Sequence, residues 1–289
     1  MALTKGTCSC LPTADELPAE FFTVLVGTAN QVDGFRVDYE IQRWRAKELA
    51  RHIFEWIPDF ALTDSERAGI TAGRIMEKTA DAVRRTFGRK FDPSTAGEIL
   101  LHAICRAQFG ASTVINKVWF KSSFNMPYHG FDGVHVVHSD AGLELWLGEA
   151  KFYKNAARAV DRVIADMKSH LDRDYLHDEF ALVGPKMSAD HPHAAEIRKL
   201  MAPNTSLDEV FQVLTLPVLI MYDSPTACSH TKVSDEYVRG LADEISAHAA
   251  RLLDGVDAAI RPQIRAFFIP MANKHDLVDH LKLQVDAWS

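Results

Sequence analysis

Two carboxylates and a lysine sit inside runs that are otherwise apolar. Asp132 lies in Gly130-Phe131-Asp132-Gly133, and Glu149 and Lys151 lie in Leu145-Trp146-Leu147-Gly148-Glu149-Ala150-Lys151. Charge placed in such runs is costly unless it is paired or binds a metal. Carboxylate oxygens suit Mg²⁺, and Mn²⁺ shares that preference. A metal held by Asp132 and Glu149, with the Ala150 carbonyl as a further ligand, would bind a phosphate oxygen and lower the pKa of a bound water. Lys151 would orient that water or steady the charge developing on the phosphate. The chemistry this pattern can do is phosphodiester hydrolysis. The plainer alternative is a surface strand with a cross-strand ion pair.

For these groups to act together, the two runs must form a hairpin. Ser139-Asp140-Ala141-Gly142 predicts a tight turn between strands Phe131–His138 and Leu143–Tyr153. Pairing counted outwards from that turn sets Asp132 opposite Glu149, with Cβ atoms about 4.5–5.5 Å apart. Lys151, two residues on, projects from the same face. A one-residue bulge would break the alignment. The glycines around Asp132 allow another group to approach the backbone closely. Glu98 is a candidate fourth member. It lies on a helix expected from Asp92-Pro93 to Phe109, on one stripe with Leu101, Cys105 and Phe109. A charge there needs a partner, for which a metal or Lys151 would serve; the alternative is a first-turn glutamate favoured by the helix dipole.

The remaining elements follow from periodicity and punctuation. Residues 1–20 carry no regular pattern. Phe21–Val26 and Phe35–Ile41 read as strands, and Trp44–Trp56 as a helix stopped by Pro58. Thr63 and Glu66 form a capping box that opens a helix to Phe87, ended by Gly88. Thr113–Lys121, Asp178–Val183, Val213–Tyr222 and Ile264–Pro270 read as strands. Ala156–Leu171, Pro192–Met201, Ser234–Leu253 and Lys274–Trp288 read as helices. Alternation of this kind predicts an α/β fold, a mixed β-sheet flanked by helices. Residues 1–60 would form an N-terminal accessory segment packed on a core of 61–289.

Basic residues near the hairpin suggest a nucleic-acid contact. Lys154, Arg158 and Arg162 recur at i, i+4 and i+8 and form one ridge. Such a ridge would meet DNA phosphates; the alternative is a solvated face paired with Asp161 and Asp166. Lys117 and Lys121 alternate with apolar residues on the predicted neighbouring strand and would extend the ridge. Of the histidines near Asp132, His129 would reach the site from the entry loop. His135 is an odd number of residues from Asp132 and would point to the opposite face. His191 and His193 form a His-x-His pair without further ligands nearby.

Composition narrows the class. The chain has 289 residues, 47% hydrophobic and 25% charged, with a net charge of −7. That supports a sizeable core but gives no global basic footprint, so attraction to nucleic acid would need local cations or a partner. No apolar run reaches the roughly 20 residues of a membrane span, and no signal-peptide pattern opens the chain. Cys8, Cys10, Cys105 and Cys228 do not suggest a disulfide framework, so a cytoplasmic setting is expected. There is no phosphate-binding G-x-x-x-x-G-K-[ST] loop, so an ATP-driven motor would be a separate subunit. There is no G-x-S-x-G elbow either.

Glu98 on a helix, then Asp132, then Glu149-Ala150-Lys151 on a paired strand, resembles the PD-(D/E)xK nuclease superfamily. Gly-Phe-Asp-Gly-Val-His-Val together with Leu-Trp-Leu-Gly-Glu-Ala-Lys-Phe-Tyr more narrowly resembles the HamA nuclease subunits of Hachiman anti-phage defence systems. The resemblance implies a restriction-endonuclease-like core and a Mg²⁺-dependent deoxyribonuclease acting with a superfamily 2 helicase subunit. Phe131 stands where the superfamily's name has proline. The helix after Lys151 lacks the glutamine of RecB-like members. The alternative function is a nuclease-fold subunit that binds DNA or regulates the helicase without cutting.

Overall fold

The computed structural model describes residues 23–28, 31–88, 90–121, 130–139, 142–188 and 191–288. The unpatterned residues 1–20, with Cys8 and Cys10, and the entry-loop residue His129 lie outside them. The strands are β1 Thr23–Thr28, β2 Val32–Arg36, β3 Tyr39–Glu40, β4 Arg43–Trp44, β5 Ser112–Asn116, β6 Gly133–Ser139, β7 Gly142–Phe152, β8 Leu214–Asp223 and β9 Ile264–Met271. Seven form one mixed sheet in the order β1-β2-β9-β8-β7-β6-β5. β2, β9, β8 and β7 run parallel to one another, and β1, β6 and β5 pair antiparallel with their neighbours. β3 and β4 make a separate two-stranded ladder.

The central strands β8 and β9 are mostly apolar because helices cover both faces. On β8, Leu219 and Met221 join the core formed with helices Ala46–Glu55 and Thr95–Phe109. Val218, Ile220 and Tyr222 face the other way, onto helices Ala156–His170 and Asp235–Gly255. This is the mixed α/β sheet flanked by helices that the pattern of elements predicts, and it is consistent with a nuclease-like core. Among the described residues no helix is long and apolar enough to cross a membrane.

Four expectations are corrected. β5 stops at Asn116 and the chain turns into a helix, Lys117–Lys121, instead of continuing as a strand. Tertiary anchors override the alternating pattern there: Asn116 Nδ2 donates to the Phe60 carbonyl at 2.7 Å and Trp119 Nε1 to that of Ala61 at 3.1 Å. Asp178–Val183 belongs to a helix, Arg173–Val183, capped by the Asp172 carboxylate; short apolar runs do not distinguish strand from helix. Pro58 does not end helical structure but sits in the first turn of a further helix, Ile57–Ala61, where its missing N–H costs nothing. The capping box of Thr63 and Glu66 is present, but its helix covers only Asp64–Ala68. The long helix restarts at Ile75 and runs to Phe87, after Gly69 and Gly73.

Candidate active site

The hairpin pairs as its turn predicts, from Ser139↔Gly142 to Gly133↔Gly148. One residue further, the ladder gives way. The Asp132 amide donates to the Gly148 carbonyl at 3.0 Å, and the Asp132 carbonyl accepts the Lys117 amide at 3.3 Å. Asp132 therefore closes the open end of the hairpin, level with Glu149. Its side chain is fixed from two sides: Oδ2 accepts the Ala150 amide at 2.9 Å, and Oδ1 accepts Lys117 Nζ at 2.9 Å. Glycines permit this density. A Cβ on Gly148 would stand 3.0 Å from Leu101 Cδ2, and one on Gly133 would stand 3.0 Å from His135 Cε1.

Asp132, Glu149 and Lys151 line one cleft of about 260 Å³, with Glu98, Lys117, Asp166 and His170. Asp132 and Glu149 are 7% and 6% exposed, so both carboxylates are nearly out of water. Burial, and then the charge of Asp132, raises the pKa of Glu149 to about 8, outweighing the opposing pull of Lys151. Lys151 is ion-paired with Glu149 and reaches Asp166 Oδ2 at 2.9 Å. Burial disfavours its charge, but these partners outweigh that and hold its pKa up. His170 Nδ1 stands 3.6 Å from Glu149 Oε2, and its ring stacks on Tyr175 and meets Phe131 edge-on. Burial lowers its pKa.

Glu98 does line the cleft and is buried, and the lysine it meets is Lys117, not Lys151. Lys117 Nζ lies 3.6 Å from Glu98 Oε1 and bridges it to Asp132. Lys117 is thus inside the site, at the start of the short helix and not on a strand, and Lys121 ends that helix. Burial opposes the charge on Lys117, but Asp132 and Glu98 outweigh it and raise its pKa. Lys154, Arg158 and Arg162 are all exposed. Of these only Arg162 lines the cleft, and both its Nε and its Nη2 contact Asp166. Asp161 instead pairs with Arg251. His135 turns away from Asp132, as its odd spacing predicts, and meets His102.

Sequence reasoning missed Asp166 and His170 as lining groups. The available signal was their i, i+4 spacing on the face of helix Ala156–His170 that also carries Ala159 and Val163. Also missed was Glu179, on helix Arg173–Val183, which accepts the Phe131 amide beside Asp132. Burial pushes its carboxyl up to about 7 against that hydrogen bond.

Among the described residues, no three of His, Cys, Asp and Glu converge to hold a metal by themselves. Lys117 stands between Glu98 and Asp132. Asp132 and Glu149 remain as two hard oxygen donors that repel each other. Mg²⁺ is commonly bound by one or two carboxylates, with water and phosphate completing its shell, so this pair fits it. Ala150 lines the cleft, and the group it presents to Asp132 is its amide.

Fold and cleft together define an α/β protein with a buried carboxylate–lysine site at the open end of a hairpin. The HamA family model matches residues 16–283, nearly the whole chain. The chain belongs to the HamA family and is a component of a Hachiman anti-phage defence system. No curated protein and no solved structure matches it.

Proposed function

We propose that this chain is a metal-dependent deoxyribonuclease that hydrolyses DNA phosphodiesters in concert with a helicase subunit. The observation that carries the reading is the pair Asp132 and Glu149: two buried carboxylates in one cleft, close enough for the charge of one to raise the pKa of the other. A divalent cation relieves that repulsion better than a single lysine does. Bound there, Mg²⁺ supplies Lewis acidity to the phosphate and a water of lowered pKa. Lys151 holds a positive charge where the phosphate gains negative charge, and Asp166 keeps its ammonium directed into the cleft. Lys117 holds Asp132 in place and screens it from Glu98. Arg162, exposed at the cleft's edge, is placed to meet a neighbouring phosphate. The net charge of −7 fits a subunit that takes DNA affinity from its partner.

A second reading has one observation in its favour. Lys117 and Lys151 already pair with the acidic groups of the cleft, which suits a non-cleaving subunit that binds DNA or regulates the helicase. A Mg²⁺-dependent assay on plasmid and linear DNA, with and without the co-purified partner, separates the two. Cleavage lost in Lys151→Ala supports the nuclease. Full cleavage by purified Lys151→Ala excludes this mechanism, and no cleavage under any condition favours the second reading.

A further inference from the structure

A second cleft, of about 1120 Å³, lies across a single turn of chain from the candidate site. Ser94 lines the Asp132–Glu149 cleft, whereas its neighbours Asp92, Pro93 and Thr95 line the larger one. The larger cleft is built where helix Ile75–Phe87 ends and the chain reverses through Gly88, at φ +58°. Three exposed cations line it: Arg84, Arg85 and Lys90. Arg84 pairs with Asp81, and Arg85 with Glu66 at 2.7 Å. Such exposed pairs are worth about 0–1 kcal/mol, so a phosphate displaces the carboxylates at small cost. Phe91 stacks on the buried ring of Phe87, with centroids 5.1 Å apart and planes 20° from parallel. Phe91 is itself only partly covered, and it lines the cleft beside the cations.

Cations that follow a backbone, next to an aromatic face, are the means by which single strands are held without sequence preference. A duplex hides its base faces in the stack, so a ring such as Phe91 gains nothing from it. The net negative charge also gives the chain no long-range pull on duplex DNA, while three local cations act within a Debye length of about 8–10 Å. We propose that this second cleft binds the single-stranded flank of a DNA substrate, with Arg84, Arg85 and Lys90 on phosphates and Phe91 against a base. Strand capture stands on the cleft alone; that the held strand leads to a cutting site rests on the nuclease reading.

The test is fluorescence anisotropy with a short labelled oligothymidine and the full chain, at low salt and without Mg²⁺. Wild type should bind it more tightly than a duplex of equal length. Lys90→Glu should weaken binding and lower the salt slope by about one. Phe91→Leu should weaken it by about tenfold. Melting temperatures confirm that both variants are folded; if Phe91→Leu is not, Lys90→Glu and Arg84→Glu decide. No wild-type binding at low salt, stronger binding of duplex, or binding indifferent to these substitutions would overturn the proposal. If strand binding depends on Lys90 while no condition yields cleavage, the nuclease reading fails and this one stands. If DNA is cut and Lys90→Glu changes neither binding nor cutting, only this one fails.

Discussion

Two clusters of buried charge flank Gly133, and they are built on opposite terms. In one, Asp59, His102 and His135 are each no more than 3% exposed. Asp59 accepts from His102 Nε2 at 2.7 Å and from Arg106 Nε at 3.1 Å, and it is also paired with Arg67. His102 Nδ1 meets His135 Nε2 at 3.0 Å. Here one carboxylate faces two guanidiniums and the cluster is sealed. In the other, Glu98, Asp132, Glu149 and Asp166 meet Lys117, Lys151 and Arg162 beside an open cleft. Carboxylates outnumber cations there, and one of them has its pKa driven up. Ion pairing alone does not mark a working site, since both clusters have it. A surplus of one sign beside an opening marks a candidate site, because only then does a ligand of the other sign improve the balance.

Removing one member of each cluster is the strongest way to break this comparison. In the open cluster, Asp132→Ala or Lys151→Ala should lower Mg²⁺-dependent cleavage on the order of 10²–10³-fold or more. Thermal unfolding should barely move in Asp132→Ala, which removes one of the surplus carboxylates, whereas Lys151→Ala also leaves Glu149 and Asp166 without their cation and should destabilise. In the sealed cluster, Asp59→Ala leaves two guanidiniums and a histidine donor without their acceptor. It should cost about 3–5 kcal/mol, read by urea denaturation. If Asp132→Ala and Asp59→Ala have the same effect on stability, the distinction between working and structural charge fails.

The pieces of the open cluster differed in how visible they were from sequence. Asp132, Glu149 and Lys151 were legible because strand periodicity is two and the turn at Ser139–Gly142 fixes the register. Lys117 was not. Its alternation with apolar neighbours reads as a strand, and only long-range bonds from Asn116 and Trp119 to Phe60 and Ala61 turn it into a helix facing Asp132. The helix Arg173–Val183 was lost for a related reason, since its short apolar run carries no periodicity long enough to decide. The sealed cluster was invisible: Asp59, His102 and His135 are far apart in sequence, and only the packing of three elements joins them. What periodicity and turns dictate was readable, and what tertiary hydrogen bonds dictate was not.

Gly133 is the hinge of the comparison, since its backbone separates the clusters. A Cβ there would come within 3.0 Å of His135 Cε1 and 3.2 Å of Asn116 Oδ1. Both are buried groups with little room to move. Gly133→Ala should cost about 1–3 kcal/mol as overpacking and reduce cleavage as well, because the displaced backbone carries Asp132. A stability loss with unaltered cleavage would show that the sealed cluster does not help position the open one.

The smallest effect is the most specific, because the clusters should respond to pH with opposite signs. His102 and His135 have pKa values held well below the usual range, by burial first and then by neighbouring positive charge. Below about pH 6.5 the unfolded chain takes up protons that the native cluster refuses, so stability falls as pH falls. Glu149 behaves in the reverse way. Its pKa is raised to about 8, so between its unfolded value near 4.5 and about 8 the native state holds the extra proton, and stability falls as pH rises. Each fully differing group contributes at most about 1.4 kcal/mol per pH unit. Glu149→Gln should therefore remove the downward slope between about pH 4.5 and 8 and leave the profile below about pH 4.5 unchanged. A cation at the Asp132–Glu149 pair must displace that proton, so the rise in melting temperature caused by Mg²⁺ should grow as pH approaches and passes 8. A Mg²⁺ effect that is flat with pH, or that survives in Glu149→Gln, would place the metal elsewhere.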